Sequence, residues 1–155
     1  MSLETQAQVA LQLILAALLS MLIGIDRERG KHPAGVRTHM LVGVGACLFT
    51  ALSIYAFPGE ESTTRVAANI VVGIGFLGAG TIIKEENNGG VKNLTTAASI
   101  WATAAVGMAV GTGAWFLALA AVVIIWVILV LVQRFERLRS KKSHSPLISE
   151  PPGHV

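Results

Sequence analysis

Two stretches of this chain hold residue types that could do chemistry. The first is Asp26-Arg27-Glu28-Arg29-Gly30-Lys31-His32-Pro33-Ala34-Gly35-Val36-Arg37-Thr38-His39, which sets two carboxylates and two imidazoles among four cations. The second is Gly73-Ile74-Gly75-Phe76-Leu77-Gly78-Ala79-Gly80, whose first six residues satisfy G-x-G-x-x-G, the pattern that holds a dinucleotide pyrophosphate. Asp26 and Glu28 are the weak candidates for a cation site. Two positions apart, they diverge by about 200° on a continuous helix and would not chelate together. Their simpler reading is ion pairing with Arg27, Arg29 or Arg37. Asp26, Arg27, Glu28, Arg37 and Thr38 are therefore expected to converge as a partly buried clasp between two helices, with Pro33 stopping one and Gly35 permitting the turn into the next.

Catalysis has less support. Ser20, Ser53 and Ser99 offer hydroxyls and Cys47 a thiol, but His32, His39 and His144 fall in no nucleophile motif, and Cys47 has no basic neighbour in sequence. The chain does not read as an enzyme, and no cofactor is expected, Mg²⁺ being the one weak candidate.

The elements that position these residues follow from hydropathy. With 53% hydrophobic and 14% charged residues in a 155-residue chain, and a mean hydropathy of +0.65, the composition is that of a membrane protein. Charge-free windows run from Gln6 to Ile25, Thr38 to Phe57 and Val66 to Ile83. Each is long enough to cross about 30 Å of hydrocarbon at about 1.5 Å per residue. From Asn93 to Gln133 no charge occurs, about twice what one crossing needs, so the chain must fold back. The punctuation Gly111-Thr112-Gly113 predicts a turn between helices over Leu94 to Val110 and Ala114 to Val132. The expected fold is an all-α, polytopic bundle of five spans over residues 1–133, with a cytoplasmic tail over 134–155.

Lysine and arginine set the expected orientation. Arg27, Arg29, Lys31, Arg37, Lys84, Lys92, Arg134, Arg137, Arg139, Lys141 and Lys142 fall on one side, and Arg65 alone falls by the other. The positive-inside rule then places the amino terminus outside and the carboxyl terminus in the cytoplasm. Tyr55, Phe57, Trp115 and Phe116 fall at the predicted outer helix ends, where such rings favour headgroups.

In this setting the glycine pattern loses its nucleotide reading, for it has neither the preceding strand nor the solvent-exposed helix that a pyrophosphate site requires. Asn69, Gly73 and Gly80 share one helix face, while Gly75, Gly78 and Ala79 share the opposite one. Two smooth faces predict a central third helix pressed between two neighbours. The second span carries His39, Gly43, Ala46, Thr50 and Ser53 along one small, polar face, and the fourth groups Thr95, Thr96, Ser99 and Thr103 within one arc. Hydroxyls of this kind bond back to their own helix or across to another. Apart from Asn69, hydroxyls, His39 and exposed backbone, the membrane interior offers no ligand for a cation: no Asp or Glu occurs between Thr38 and Phe57, Val66 and Ile83, or Leu94 and Val132. Mg²⁺, which sheds its waters reluctantly and prefers carboxylates, would find this a poor conduit.

Three ordered segments, "GIDRERGKHPAGVRTHMLVGVGACLF", "RVAANIVVGIGFLGAGTII" and "NLTTAASIWATAAVGMAVG", resemble the membrane domain of the MgtC/SapB family. The family pattern has glutamate at Asp26 and glycine at Asn93; asparagine keeps a residue that tolerates left-handed backbone. The resemblance implies a multi-pass protein of the bacterial inner membrane, tied to growth in low magnesium and, in pathogens, to virulence. Many relatives carry a further cytoplasmic domain; here a short tail follows the fifth span. Taken together, resemblance and residues favour a regulator or partner of a membrane complex, with a homo-oligomer as one form of partner, over a magnesium transporter. No nucleic-acid partner is expected. In the tail, basic residues extend the fifth helix toward anionic lipid, and Pro146, Pro151, Pro152 and Gly153 predict disorder beyond about Ser143.

Overall fold

A computed structural model describes residues 1–57, 60–85 and 90–143 of the chain. The described architecture is five helices, α1 (Leu3–Arg29), α2 (Val36–Tyr55), α3 (Glu60–Gly80), α4 (Leu94–Gly111) and α5 (Trp115–Ser143), with a two-stranded hairpin between α3 and α4. The first four contain stretches long and apolar enough to cross a membrane, and α5 begins with the apolar run Trp115–Leu131 before continuing into its basic end. The all-α bundle expected from the charge-free windows is therefore present. The disorder expected beyond Ser143 lies outside the described residues.

Local chemistry sets the helix ends. Ser2 caps α1, its Oγ accepting the Thr5 N–H at 3.1 Å, with Glu4 in the first turn where a negative charge favours the helix dipole. At the other end Gly30 donates back to the Asp26 carbonyl, and Lys31, at φ 55°, turns the chain away. Between α4 and α5 the turn rests on Gly113 at φ +81°, a left-handed conformation that costs glycine least. Asn93 precedes α4 at φ 67°, a left-handed geometry that asparagine tolerates, and its Nδ2 donates to the Thr81 carbonyl at 3.1 Å.

The hairpin was not anticipated. Ile83–Lys84 pairs antiparallel with Val91–Lys92, and Lys92 forms an ion pair with Glu85 across it. It takes Thr81 to Ile83 out of the predicted third span, while α3 begins six residues earlier than expected, at Glu60.

The centre of the bundle is α4, which packs against α1, α2, α3 and α5. This corrects the expectation of a central third helix. On α3, Ile74 and Gly78 are the buried residues among those described, and a Cβ added at Gly73, Gly75 or Gly80 would meet nothing within 4 Å. The physical reason lies in the rest of the surface: α3 interleaves its glycines with Val71, Val72, Phe76 and Leu77, all exposed, whereas α4 carries alanine, glycine, serine or threonine around its circumference and can be approached from every side. One apolar cluster joins Ile23, Cys47, Val106, Val110 and Val122 across α1, α2, α4 and α5; a second joins Ala46, Ile74, Ile100 and Ala104 across α2, α3 and α4.

Candidate functional site

Between α1, α2 and α4 runs a buried polar seam. On α1, Gln12, Ser20 and Arg27 fall at i, i+8 and i+15, which places them on one face, and all three are buried. On α2 the whole stripe His39, Gly43, Ala46, Thr50 and Ser53 is buried, and on α4 so are Thr96, Ser99 and Thr103. Glycines let these faces close together. A Cβ at Gly43 would collide with Ser20 of α1, one at Gly107 would collide with the Gly43 carbonyl, and one at Gly111 would stand 2.7 Å from the Cys47 carbonyl.

Two side-chain contacts tie the seam together. Arg27, with no exposed surface, donates from Nη2 to Oγ1 of Thr96 at 3.4 Å. His39, equally buried, meets Oγ1 of Thr103 through Nδ1 at 2.8 Å. The Thr103 hydroxyl also donates to the Ser99 carbonyl at 2.8 Å, so its one proton is committed and it accepts from the imidazole. That assigns the proton of a neutral His39 to Nδ1. The remaining seam hydroxyls of α2 and α4 bond back within their helices, Thr50 to the Ala46 carbonyl, Ser53 to that of Thr50 and Ser99 to that of Thr96, each at 2.8 Å.

The seam also holds polar atoms without a partner among the described residues: both amide atoms of Gln12, Oγ of Ser20, Nε2 of His39, and Nε and Nη1 of Arg27. A buried group left in that state costs about 1–3 kcal/mol, more when charged. Among the described buried side chains, Arg27 is the one with a formal charge. Such an interior repels a divalent cation and offers donors to neutral or anionic species. Among the described residues, no group of three or more His, Cys, Asp and Glu could hold a metal ion.

The expected clasp divides three ways. Arg27 enters the seam. Glu28 turns outward and its Oε2 accepts the Val36 N–H at 2.8 Å, capping α2. Asp26 is half-buried with Oδ2 unpartnered, and Arg37 and Thr38 are exposed. No ion pair links these residues among those described; consecutive positions 26, 27 and 28 step about 100° apart around α1, so they cannot converge. His32, outside the spans, has its pKa lowered, first by burial and then by the positive charge of Arg27, with Asp26 opposing. Of the other expected site residues, Thr96 and Ser99 lie in the seam, Thr95 is exposed on α4, and Gly78 approaches Ala97 of α4. Asn69 and Gly73 line an apolar groove of about 580 Å³ between α2 and α3, while Gly75 and Gly80 face open space.

Gln12, Gly107 and Gly111 were missed in sequence. A signal existed for the glycines, which extend the Thr96–Ser99–Thr103 stripe by one and two further turns, and for Gln12, which shares its face with Ser20 and Arg27.

The profile of the MgtC family matches residues 13–138. YhiD of Escherichia coli (strain K12), designated a candidate magnesium transporter, is 40% identical over 149 residues, covering 91% of this chain and 68% of YhiD. Protein SrpB of Synechococcus elongatus is 40% identical over 122 residues, covering 72% of this chain and 67% of SrpB. Protein MgtC of Salmonella typhimurium (strain LT2) is 46% identical over 115 residues, which cover 74% of this chain and 48% of that protein. No solved structure matches.

Proposed function

This chain belongs to the MgtC family, and from that premise we propose that it is a bacterial inner-membrane protein that supports adaptation to low magnesium by binding and regulating a membrane complex. One observation carries the choice of regulator over transporter: the charged group buried in the polar seam is the guanidinium of Arg27, with two of its donors unpartnered. At an effective dielectric constant of about 20, a unit charge and a divalent cation 4 Å apart repel by about 8 kcal/mol, and the neighbouring half-buried carboxylate of Asp26 offsets that only in part. A second observation supports a partner within the bilayer. Asn69 and Gly73 stand on an apolar groove between α2 and α3, where the missing side chain of Gly73 lets another helix approach and the Asn69 amide can bond across to it.

The similarity to YhiD favours the competing reading, a magnesium transporter. The two readings separate by site-specific photo-crosslinking in magnesium-starved cells. A crosslinker at Asn69 should capture one defined membrane complex, in low but not in high magnesium, whereas one at exposed Leu11 of α1 should not. Equal capture from both positions, or capture indifferent to magnesium, would remove the regulatory reading.

A further inference from the structure

Glycine weakens a helix unless its missing side chain is put to use. Gly43, Gly107 and Gly111 are used inside the bundle, where an added Cβ would collide with a neighbouring helix. Gly45 of α2 and Gly73 of α3 are not, for a Cβ on either would meet nothing within 4 Å. Both line the groove of about 580 Å³ between α2 and α3, whose floor is made by Ala46, Ile74 and Ala104, all buried. The groove follows α3 from Val66 to Leu77, about 17 Å at about 1.5 Å per residue. Its mean cross-section is then about 35 Å², under half that of a helix about 10 Å across. A partner helix can close over such a groove but cannot fill it. A hydrocarbon chain lying along the helix axis can, and in a bilayer such chains are the surrounding solvent.

The polar groups along α3 select one kind of molecule. Arg65, Asn69 and Gly73 follow at i, i+4 and i+8 on one side of the helix, each step about 6 Å. Arg65 is exposed, makes no ion pair among the described residues, and stands just before the charge-free window that starts at Val66. Asn69 lines the groove one turn deeper, at the edge of the hydrocarbon, and its exposed amide makes no hydrogen bond among the described residues. An amide at that depth needs a partner that acyl chains do not offer. Beyond it the lining is apolar as far as Leu77. Cation, amide and apolar channel therefore match, in order and along one line, the phosphate, ester carbonyl and acyl chain of a phospholipid. Glu61, exposed one turn before Arg65, competes with a phosphate for the guanidinium.

We propose that the groove between α2 and α3 is a binding site for one phospholipid from the leaflet on the Arg65 side. Arg65 takes the phosphate, Nδ2 of Asn69 donates to an ester carbonyl, and an acyl chain fills the space left by Gly45 and Gly73. The lipid occupies the chain when no partner helix covers Asn69. The site is thus independent of the regulatory reading, which stands or falls on the crosslinking above.

The test uses the full chain purified in a neutral detergent. Native mass spectrometry follows the retention of phosphatidylglycerol, and separately of the diacylglycerol with the same acyl chains, added to the micelles. The parent should retain one phosphatidylglycerol per chain and hold the diacylglycerol more weakly. Gly73→Leu fills the groove from α3 and should lower retention by about tenfold or more, as should Gly45→Leu from α2, which decides the matter if Gly73→Leu does not accumulate. Gly75→Leu, an equal change on the opposite face of α3, should retain lipid like the parent. Arg65→Gln should bring phosphatidylglycerol down to the level of the diacylglycerol. Equal retention in the Gly45, Gly73 and Gly75 variants would mean an unspecific lipid annulus, and equal retention of the two lipids by the parent would mean that no phosphate is recognised; either overturns the site. A dimer mass without bound lipid, abolished by Gly73→Leu, would give the groove to a second copy of the chain and overturn it as well.

Discussion

Arg27 of α1 and Thr96 of α4, sixty-nine residues apart, meet at 3.4 Å with neither side chain reaching solvent. Among the described residues, the contact makes the buried hydroxyl of Thr96 the one protein acceptor for the guanidinium. Replacing it by Thr96→Val keeps the shape and leaves a third nitrogen of Arg27 unpartnered. The expected cost is about 1–3 kcal/mol, read as a lower melting temperature in detergent, with Thr96→Ser close to the parent. Equal melting of the valine and serine variants would show that the contact contributes nothing.

His39 and Thr103 form the second tie, at 2.8 Å. Thr103→Val removes the acceptor for the Nδ1 proton and should also cost about 1–3 kcal/mol. Nitrogen-detected NMR of labelled histidine gives a separate reading: the parent should show Nδ1 protonated and Nε2 bare, and a reversed tautomer would contradict the assignment.

The glycines that hold the bundle together are those of α2 and α4. Gly43→Leu and Gly107→Leu force a side chain into Ser20 or into the Gly43 backbone, so both should fail to accumulate, overpacking costing about 1–3 kcal/mol even where a core can adjust. Gly75→Leu, which meets open space, should accumulate normally unless a partner covers that face. Quantitative immunoblotting of membranes would settle the order, and loss of Gly75→Leu with retention of Gly107→Leu would contradict the packing.

Orientation is read from basic residues. A reporter fused after Lys142 should report the cytoplasm and one at Ser62 the outside. Reversed signals would invert the bundle and move the Arg27 end of the seam to the other face.

The spans were legible in sequence because a bilayer demands charge-free windows of a fixed length, and α1, α2 and α4 begin and end within a few residues of those windows. The polar stripes of α2 and α4 were legible for a similar reason, helical periodicity. The position of α3 was not, because glycine at 73, 75 and 80 permits a close neighbour without supplying one. Arg27 was hidden by its context: an arginine in a basic loop reads as a headgroup anchor, and its burial depends on Gly24 and Gly43 bringing α1 and α2 together, Gly24 so closely that an added Cβ would stand 2.7 Å from the Val36 Cα. The hairpin, two residues per strand, is too short to leave a periodic signal.

The central claim, a regulator whose polar seam does not conduct magnesium, is tested most directly by uptake of radiolabelled Mg²⁺ into proteoliposomes of the purified full chain. Vesicle tightness is checked by adding an ionophore at the end of each run. Uptake should match that of protein-free vesicles, and should stay there when the outer magnesium concentration is raised. Saturable uptake above the protein-free level would contradict the account and restore the transporter.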